Sequence, residues 1–243
     1  MTVSVILPAA GLGTRMGRTA PEKAGTSRKQ FMLLEGSPIL LHTIRKFAGS
    51  PAVREIVVAL RAEDLEWARG LLAREAFGKP VKLVEGGDSR QHSVENALAT
   101  LAADTELVAV HDAVRPFIEH AVLEKVFAEA AETGAAIVGI VPVDTVKQVH
   151  RNKIRQTIPR ERLILAQTPQ VFRFDLLKQA FAKAREDGFA GTDESSLVER
   201  LDQVEVSVIP GSDRNIKITR QSDMDLAKLF LAEEIKAAAQ VVP

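Results

Sequence analysis

A segment rich in small residues, AAGLGTRMG at residues 9–17, directly follows the apolar run VSVILP and is suited to binding phosphates. Alanines and glycines let backbone N–H groups approach a ligand closely, and concavities of such groups bind anions. The Walker pattern G-x-x-x-x-G-K-[ST] is absent, and the glycine spacing fits a dinucleotide fingerprint only in part. Arg15 adds a cation that suits a polyphosphate, although a glycine-rich turn beside a surface arginine is the alternative interpretation.

Lys29 is a second candidate for phosphate chemistry, because it opens the phrase Lys29-Gln30-Phe31 just before an apolar pair. A lysine at that place would clamp a phosphate and stabilise the charge that develops in a phosphoryl or nucleotidyl transition state. A solvated surface lysine is the alternative, since lysines are mostly exposed. The residue type alone does not decide between the two.

The phrase GGDSRQ at residues 86–91 separates a predicted strand from a predicted helix. Asp88 can cap that helix, as the first residue of a capping box. A functional interpretation is compatible with the cap: the Gly87 backbone and Ser93 would read the edge of a base, while Arg90 holds the loop in place.

The phrase HDAVRP at residues 111–116 follows a buried strand, and ligands of open α/β sheets bind in the crevice at the carboxyl ends of the strands. An aspartate at this place, Asp112, is therefore predicted to be functional rather than only a cap. His111 is more typical of a buried, hydrogen-bonded histidine than of a catalytic one.

The composition excludes several classes of function. The chain has 32 Lys and Arg against 32 Asp and Glu, and this zero net charge argues against broad nucleic-acid binding while leaving room for a small basic pocket. The absence of cysteine excludes disulfides, thiolate metal sites and a cysteine nucleophile. Because neither a signal peptide nor an apolar stretch of spanning length is visible, we expect a cytoplasmic protein without a membrane segment.

Strands and helices alternate along most of the chain. Short apolar runs predict strands buried on both faces of a parallel sheet, at residues 3–8, 55–60, 81–84, 107–111 and 135–141. Helical patterns lie between them, at residues 38–47, 63–76, 89–101 and 121–132. This alternation predicts an α/β fold with a doubly wound, mostly parallel sheet, built as one domain over residues 1–243.

The alternation breaks after Pro142, where two strand patterns at residues 144–149 and 153–158 predict a hairpin arm within residues 142–160. Apolar side chains such as those of Val149 and Ile154 in this arm must be buried against another surface. An apolar face of this kind commonly packs on a partner subunit. The α/β pattern then resumes with strands near residues 163–167 and 204–209 and with helices at residues 175–186, 195–201 and 223–236.

Eight phrases occur in one order over about residues 5–219: LPAAGLGTRMG, KQF, EGGDSRQHSV, HDAVRPF, VDTVK, TPQVF, TDESSLVE and NIKIT. As a set they resemble the family of 2-C-methyl-D-erythritol 4-phosphate cytidylyltransferases. The resemblance implies a nucleotidyltransferase-type fold with a protruding β-arm and a homodimer formed through that arm. It also implies that CTP and methylerythritol phosphate react to the CDP-linked product and pyrophosphate, with Mg²⁺ held mainly by the CTP phosphates.

Site residues follow from the resemblance, motif by motif. The catalytic cations would be Arg15, Lys29 and Lys217. The nucleotide would be bound by Pro8, Ala9, Ala10, Gly11, Gly13, Gly87, Asp88, Arg90, Ser93 and Ala113. The polyol phosphate would meet Asp112, Arg115, Thr145, Arg160 and Thr192, of which Thr145 and Arg160 come from the partner's arm. No side chain is implied as a metal ligand.

One departure from the family pattern concerns the segment between Arg15 and Lys29, which is longer than usual and contains Pro21-Glu22-Lys23. Lys23 could compete for the role of Lys29, and Lys29 is preferred because the residues after it match the family phrase. Two alternative functions stay open: a cytidylyltransferase acting on ribitol 5-phosphate, and a non-catalytic nucleotide-sensing subunit. The four residues Arg15, Lys29, Asp112 and Lys217, retained together, argue against the second alternative.

Overall fold

The computed structural model describes residues 1–11 and 28–241 of the chain. Its strands are β1 (Val3–Pro8), β2 (Leu33–Leu34), β3 (Ser37–Pro38), β4 (Val53–Leu60), β5 (Val81–Glu85), β6 (Leu107–Val110), β7 (Ala135–Ile140), β8 (Val146–His150), β9 (Lys153–Ile158), β10 (Leu165–Arg173) and β11 (Ser207–Pro210). Its α-helices are α1 (Ile39–Ala48), α2 (Ala62–Leu72), α3 (Arg90–Leu98), α4 (His120–Thr133), α5 (Phe174–Glu186), α6 (Glu194–Glu199) and α7 (Gln221–Val241). Within these two ranges, no helix has the length and apolar character needed to cross a bilayer.

A seven-stranded sheet runs through the centre in the order β11-β7-β10-β6-β1-β4-β5. All neighbours pair in parallel except β10, which runs antiparallel to both β6 and β7. The prediction of an α/β fold with a mostly parallel sheet is confirmed. The extent predicted for the domain, residues 1–243, stays a prediction.

Helices cover both faces of the sheet, which explains why its strands have continuous apolar runs. In β1, Val5 and Leu7 pack into one core cluster and Ile6 packs into the other, and all three are fully buried. The first cluster is closed by α1, α2 and α4, and the second by α3, α5 and α6. Alternate residues of one strand thus enter different cores, as expected for a strand covered on both sides.

Strand β10 is longer than the sequence predicts and lies inside the sheet rather than ending near Gln167. Pro169, which lies within the observed strand, has no N–H to donate to a neighbouring strand. The pairing of β10 with β7 skips from Ala166 to Gln170, and this irregularity accommodates the proline. The strand therefore continues to Arg173 and positions Thr168 beside β6.

The hairpin arm predicted after Pro142 is confirmed: β8 and β9 pair only with each other, as a separate antiparallel two-stranded sheet. Arg151 and Asn152 form the turn with positive φ values of 48° and 60°, as tight hairpin turns require. Within this chain the apolar side chains of the arm remain uncovered, since Val149 is 55% exposed and Ile154 is 66% exposed.

Candidate active site

A cavity of about 420 Å³ opens at the carboxyl ends of β1, β4 and β6, where the start of α3 also arrives. Parallel strands end at the same edge of a sheet, so segments distant in sequence meet there. The cavity is lined by Pro8, Ala9, Ala10, Gly11, Lys29, Gln30, Arg61, Gly87, Asp88, Ser89, Arg90, Ser93, Asp112, Ala113, Val114 and Lys217.

The loop after β1 is fixed by side chains from outside it. The backbone N–H of Ala9 donates to the carbonyl of Ala59 at 2.8 Å, which extends the pairing of β1 with β4. The buried Gln30 amide donates through Nε2 to the carbonyl of Ala9 at 2.6 Å. Nε of Arg61 donates to the next carbonyl, that of Ala10, at 3.2 Å. Two consecutive carbonyls are thus held, which restrains the backbone N–H of Ala10 between them.

Lys29 begins a 3₁₀ turn, Lys29–Phe31, that is anchored to the start of α2. Arg28, the residue before the turn, forms ion pairs with Glu63 and Asp64. Phe31, at its end, is buried and packs edge-on against Trp67 with ring centroids 4.5 Å apart. The turn is therefore held from both ends, and this places Lys29 at the cavity.

Neither glycine of the loop before α3 has room for a side chain, because the loop after β1 lies against Gly86 and the start of α3 lies against Gly87. A Cβ on Gly86 would lie 2.6 Å from the Cβ of Ala10, and one on Gly87 would lie 2.3 Å from the Cβ of His92. Ser93 orders the same loop, because its Oγ accepts from the N–H of Gly87 at 3.2 Å. This close approach brings the Gly87 backbone to the cavity wall.

The helix cap in this loop is Ser89, so the prediction of Asp88 as the cap is wrong. The Oγ of Ser89 accepts from the backbone N–H of His92 at 3.1 Å, in the position that a cap occupies. The helix begins one residue later than the sequence pattern suggested, because both residues are good caps and only one can take the position. Asp88 instead lies on the cavity lining.

Asp112 is the electrostatic centre of the site. Its carboxylate is buried and forms ion pairs with Lys217 at 2.9 Å, Arg115 at 3.3 Å and Arg90 at 3.4 Å. Burial alone would raise the pKa of Asp112, but attraction to Lys217, Arg90 and Arg115 outweighs it and holds that pKa well below its usual range. Asp112 is therefore a carboxylate at neutral pH. Its backbone N–H donates to Thr168 Oγ1 at 3.0 Å.

Arg90 is held between two carboxylates. Its Nη1 donates to both oxygens of Glu194, at 2.7 and 2.9 Å, and Glu194 is buried at the start of α6. Burial would lower the pKa of Arg90, but the charges of Glu194 and Asp112 reverse the effect and raise it. Burial also raises the pKa of Glu194, which the bond from Arg90 opposes. The guanidinium is therefore oriented by α6 before any ligand binds.

His111 has the buried, hydrogen-bonded environment that the sequence predicts. Its Nε2 lies 2.9 Å from the carbonyl of Arg115, and its ring packs edge-on against Phe47. Burial lowers the pKa of His111 to about 4, so the ring is neutral at pH 7. It supports the loop that carries Asp112 and does not line the cavity.

The cavity collects cations in a chain without net charge. Lys29, Arg61, Arg90 and Lys217 line it, together with the carboxylates of Asp88 and Asp112. Asp112 contributes one negative charge and pairs with three cations, Lys217, Arg115 and Arg90. Positive charge therefore remains at the cavity and favours an anionic ligand. In the part of the chain that the structure describes, no three His, Cys, Asp or Glu side chains group in a way that could hold a metal ion.

A model of the 2-C-methyl-D-erythritol 4-phosphate cytidylyltransferase family matches residues 3–233. The chain belongs to this family. A relative of that name from Solibacter usitatus is 69% identical over 238 residues, covering 96% of this chain and 97% of the relative. Another from Acidobacterium capsulatum is 50% identical over 240 residues, covering 96% and 98%. The resemblance found in the motifs is confirmed, and the chain is an enzyme, a cytidylyltransferase.

Solved structures of the family have the same fold. The 4-diphosphocytidyl-2C-methyl-D-erythritol synthase of Anaerococcus prevotii superposes with a TM-score of 0.83 at 28% identity, covering 95% of this chain and 96% of that one. The 2-C-methyl-D-erythritol 4-phosphate cytidylyltransferase of Thermus thermophilus gives a TM-score of 0.75 at 31% identity, covering 95% and 98%. The nucleotidyltransferase-type α/β fold is therefore shared over nearly the whole chain.

Most residues that the family resemblance suggested for the site meet at the cavity. Those brought together are Pro8, Ala9, Ala10, Gly11, Lys29, Gly87, Asp88, Arg90, Ser93, Asp112, Ala113 and Lys217. Arg115 lies behind them, in contact with Asp112. Gly13, Arg15 and Lys23 lie outside the described residues. The roles assigned to all these residues stay predictions.

Three residues suggested for the substrate do not line the cavity. Thr192 is exposed just before α6, and Thr145 and Arg160 are exposed at the base of the arm. Arg160 donates through Nη1 to the carbonyl of Val143 in the same base. Thr145 and Arg160 thus lie away from the cavity of their own chain, and their assignment to the site of a second subunit stays a prediction.

Sequence reasoning missed several residues at or behind the cavity wall, among them Gln30, Arg61 and Glu194. Gln30 stands beside Lys29 in the phrase KQF, yet its contact with the carbonyl of Ala9 is visible only in three dimensions. Arg61 directly follows β4, and the rule that ligands bind at the carboxyl ends of strands could have found it. Glu194 lies in the phrase TDESSLVE, and only the fold brings it to Arg90.

Proposed function

We propose that the cavity at the carboxyl edge of the sheet binds CTP and transfers its cytidylyl group to 2-C-methyl-D-erythritol 4-phosphate, a step of isoprenoid precursor synthesis. A phosphate oxygen of the acceptor bonds to the α-phosphorus of CTP, and the bond from that phosphorus to the β-phosphate oxygen breaks. Pyrophosphate leaves with the electron pair, and the CDP-linked polyol remains. The convergence of Lys29, Arg61, Arg90 and Lys217 on one cavity, in a member of this family, carries the proposal.

The attacking group of this reaction comes with the acceptor. A phosphate monoester has a second pKa of about 6 and is largely ionised at neutral pH, so no serine, cysteine or histidine is needed to activate it. The obstacle is the repulsion of two anions and the charge that builds on the α-phosphate and on pyrophosphate. Fixed cations and backbone N–H groups meet that obstacle by positioning and electrostatic stabilisation.

Each wall of the cavity has a part in this proposal. The backbone from Pro8 to Gly11 receives the nucleotide, with its carbonyls held by Gln30 and Arg61 so that the N–H groups are ordered beforehand. The Gly87 backbone, Asp88 and Ser93 read the cytosine, and Ala113 faces the ribose. These groups bind and orient CTP, while Asp112 faces the hydroxyls of the ligands.

The cations stabilise the developing charge. Lys29 lies on the anchored 3₁₀ turn, and Lys217 is oriented by Asp112 through the 2.9 Å ion pair. We assign a parallel role to Arg15 from its place in the family motif. Arg115 and Thr192 complete the acceptor site, with Arg115 already in contact with Asp112.

We infer that a second copy of the chain covers the arm. Val143, Val149 and Ile154 are 75%, 55% and 66% exposed, an unusual density of apolar surface on one short hairpin. Among the described strands, β8 and β9 of the arm pair only with each other. In such a dimer, Thr145 and Arg160 of one subunit would reach the acceptor site of the other.

Magnesium enters the proposal as part of the substrate. Both oxygens of Asp112 are engaged by cations, and the described residues form no group of three metal-binding side chains. This donor set does not fit a metal site made by the protein, so the Mg²⁺ would be held mainly by the CTP phosphates.

A cytoplasmic location of the enzyme stays a prediction.

Release of pyrophosphate from CTP tests the proposed reaction. We expect release only when both CTP and methylerythritol phosphate are present, with UTP, GTP and ATP as nucleotide controls. Release with ribitol 5-phosphate in place of methylerythritol phosphate would favour the first alternative function. Binding of CTP without pyrophosphate release for any polyol phosphate would support a nucleotide-sensing subunit and contradict the proposal.

A further inference from the structure

Arg61 is a cation of the cavity that belongs to none of the family phrases found in the sequence. It follows β4 directly, at the edge where β1 and β6 also end, and it takes the cap position of α2 without a side-chain capping bond. The side chain is 36% exposed and lines the cavity.

The contacts of Arg61 tie it to the nucleotide loop and leave part of its guanidinium for a ligand. Nε donates to the carbonyl of Ala10 at 3.2 Å. The ion pair of Nη1 with Glu63 is longer, 3.7 Å, and the same carboxylate oxygen accepts a bond from Arg28. Glu63 therefore divides its charge between two arginines.

We propose that Arg61 is a nucleotide-binding residue, which holds the Ala10 carbonyl through Nε and donates to CTP through its Nη groups. The proposal rests on the proposed function, because it assumes that CTP is the ligand of this cavity. An arginine suits both tasks, since its planar fork offers several donors in fixed directions and lysine offers only a point charge. In this role Arg61 acts on nucleotide binding and not on turnover.

Replacement by methionine tests this assignment, because Arg61→Met keeps much of the length and removes every donor. Loss of hydrogen bonds from a charged group should raise the KM for CTP about tenfold. The turnover number and the KM for methylerythritol phosphate should stay within about twofold of wild type. Arg61→Lys should recover part of the loss, since it keeps the charge and loses the fork.

Arg54→Met is the matched control. Arg54 lies near the start of β4, the strand that Arg61 follows; it is 31% exposed and pairs with Asp104 at 3.1 Å. We expect its KM for CTP to equal that of wild type. An unchanged KM for CTP in Arg61→Met would overturn the proposal, as would an equal rise in the control or a fall in kcat as large as the rise in KM.

Direct calorimetric titration with CTP separates this proposal from the proposed function, because it needs no acceptor. If wild type binds CTP and Arg61→Met binds it about tenfold more weakly, the role of Arg61 stands even if methylerythritol phosphate is not the acceptor. If both proteins bind CTP equally, the role of Arg61 is refuted even when the enzyme turns over. If wild type does not bind CTP, both proposals are refuted.

Discussion

Lowering the pH from 7 to 5 should destabilise the fold through His111, whose ring is fully buried between β6 and Phe47. Burial lowers the pKa of this histidine from 6.5 to about 4, and the contact with the carbonyl of Arg115 only partly opposes the shift. Between those two pH values the unfolded chain binds a proton at this residue and the folded chain does not. The stabilising contribution is therefore present above pH 6.5 and is lost as the pH falls toward 4.

The size of the effect follows from the displacement of the pKa. A change from 6.5 to about 4 corresponds to about 3 kcal/mol in total, since each pKa unit is worth about 1.4 kcal/mol at 25 °C. About 2 kcal/mol of this should be lost between pH 7 and pH 5. Carboxylates with lowered pKa values, such as Asp112 and Glu55, lose their contributions chiefly at lower pH.

Urea unfolding of wild type and His111→Gln at pH 7, 6 and 5 measures this contribution. Glutamine keeps a neutral N–H donor and cannot take up a proton in this range. Because all carboxylates titrate in both proteins, the difference between the two stability curves isolates the histidine, provided that protein concentration is held constant. Wild type should lose about 2 kcal/mol more than the variant between pH 7 and pH 5. Parallel curves for the two proteins would refute the reasoning.

Three further substitutions test other parts of the site and the arm. Lys29→Ala should lower kcat by about 10²–10³-fold, as for the loss of one donor to transition-state charge. Lys23→Ala should lower kcat far less. A larger loss of kcat in Lys23→Ala would show that Lys23, and not Lys29, has the catalytic role. Glu194→Gln should lower the free energy of unfolding by about 2 kcal/mol and weaken CTP binding, because Arg90 loses a buried charged partner. Unchanged stability in urea unfolding and unchanged CTP affinity in calorimetry would contradict this prediction. If the arm forms the proposed dimer interface, wild type should have the mass of a dimer in light scattering and Ile154→Asp that of a monomer. Equal masses for the two proteins would contradict the inferred interface.

Matched controls sharpen two of these tests. Glu199 lies on the same short helix as Glu194 and is exposed, so Glu199→Gln should change neither stability nor CTP binding. Lys153 is exposed on the same arm as Ile154, so Lys153→Asp should leave the molecular mass unchanged. Equal effects in a control and its test variant would point to general damage to the fold.

Local pattern predicted the frame of this fold well, because the strands that form it are buried on both faces and have unbroken apolar runs. Strand β1 occupies the residues predicted for it, Val3–Pro8. Pattern failed at β10, which the sequence predicts only near residues 163–167 and which continues to Arg173 through an irregularity in its pairing with β7. It also failed at the cap of α3, because Asp88 and Ser89 are both good capping residues and only the folded conformation of the loop selects Ser89.

The candidate site was predictable where it coincides with motifs and not where it depends on tertiary contacts. Asp112 could be singled out by its place after a buried strand, but two of its three cationic partners, Arg90 and Lys217, come from distant segments. Arg61 is separated from Ala10 by 51 positions in sequence, and only the pairing of β1 with β4 makes them neighbours. Such contacts cannot be predicted from the spacing of residues in the sequence.

A competition between two acceptors tests the central claim most directly. The enzyme would be given limiting CTP with equal concentrations of methylerythritol phosphate and ribitol 5-phosphate, and the products would be distinguished by ³¹P NMR. Because the product ratio in one vessel reports the ratio of kcat/KM values, no separate rate is needed. We expect CDP-methylerythritol as the predominant product, with pyrophosphate in equal amount. Predominant CDP-ribitol, or CTP left intact with both acceptors present, would contradict the assignment.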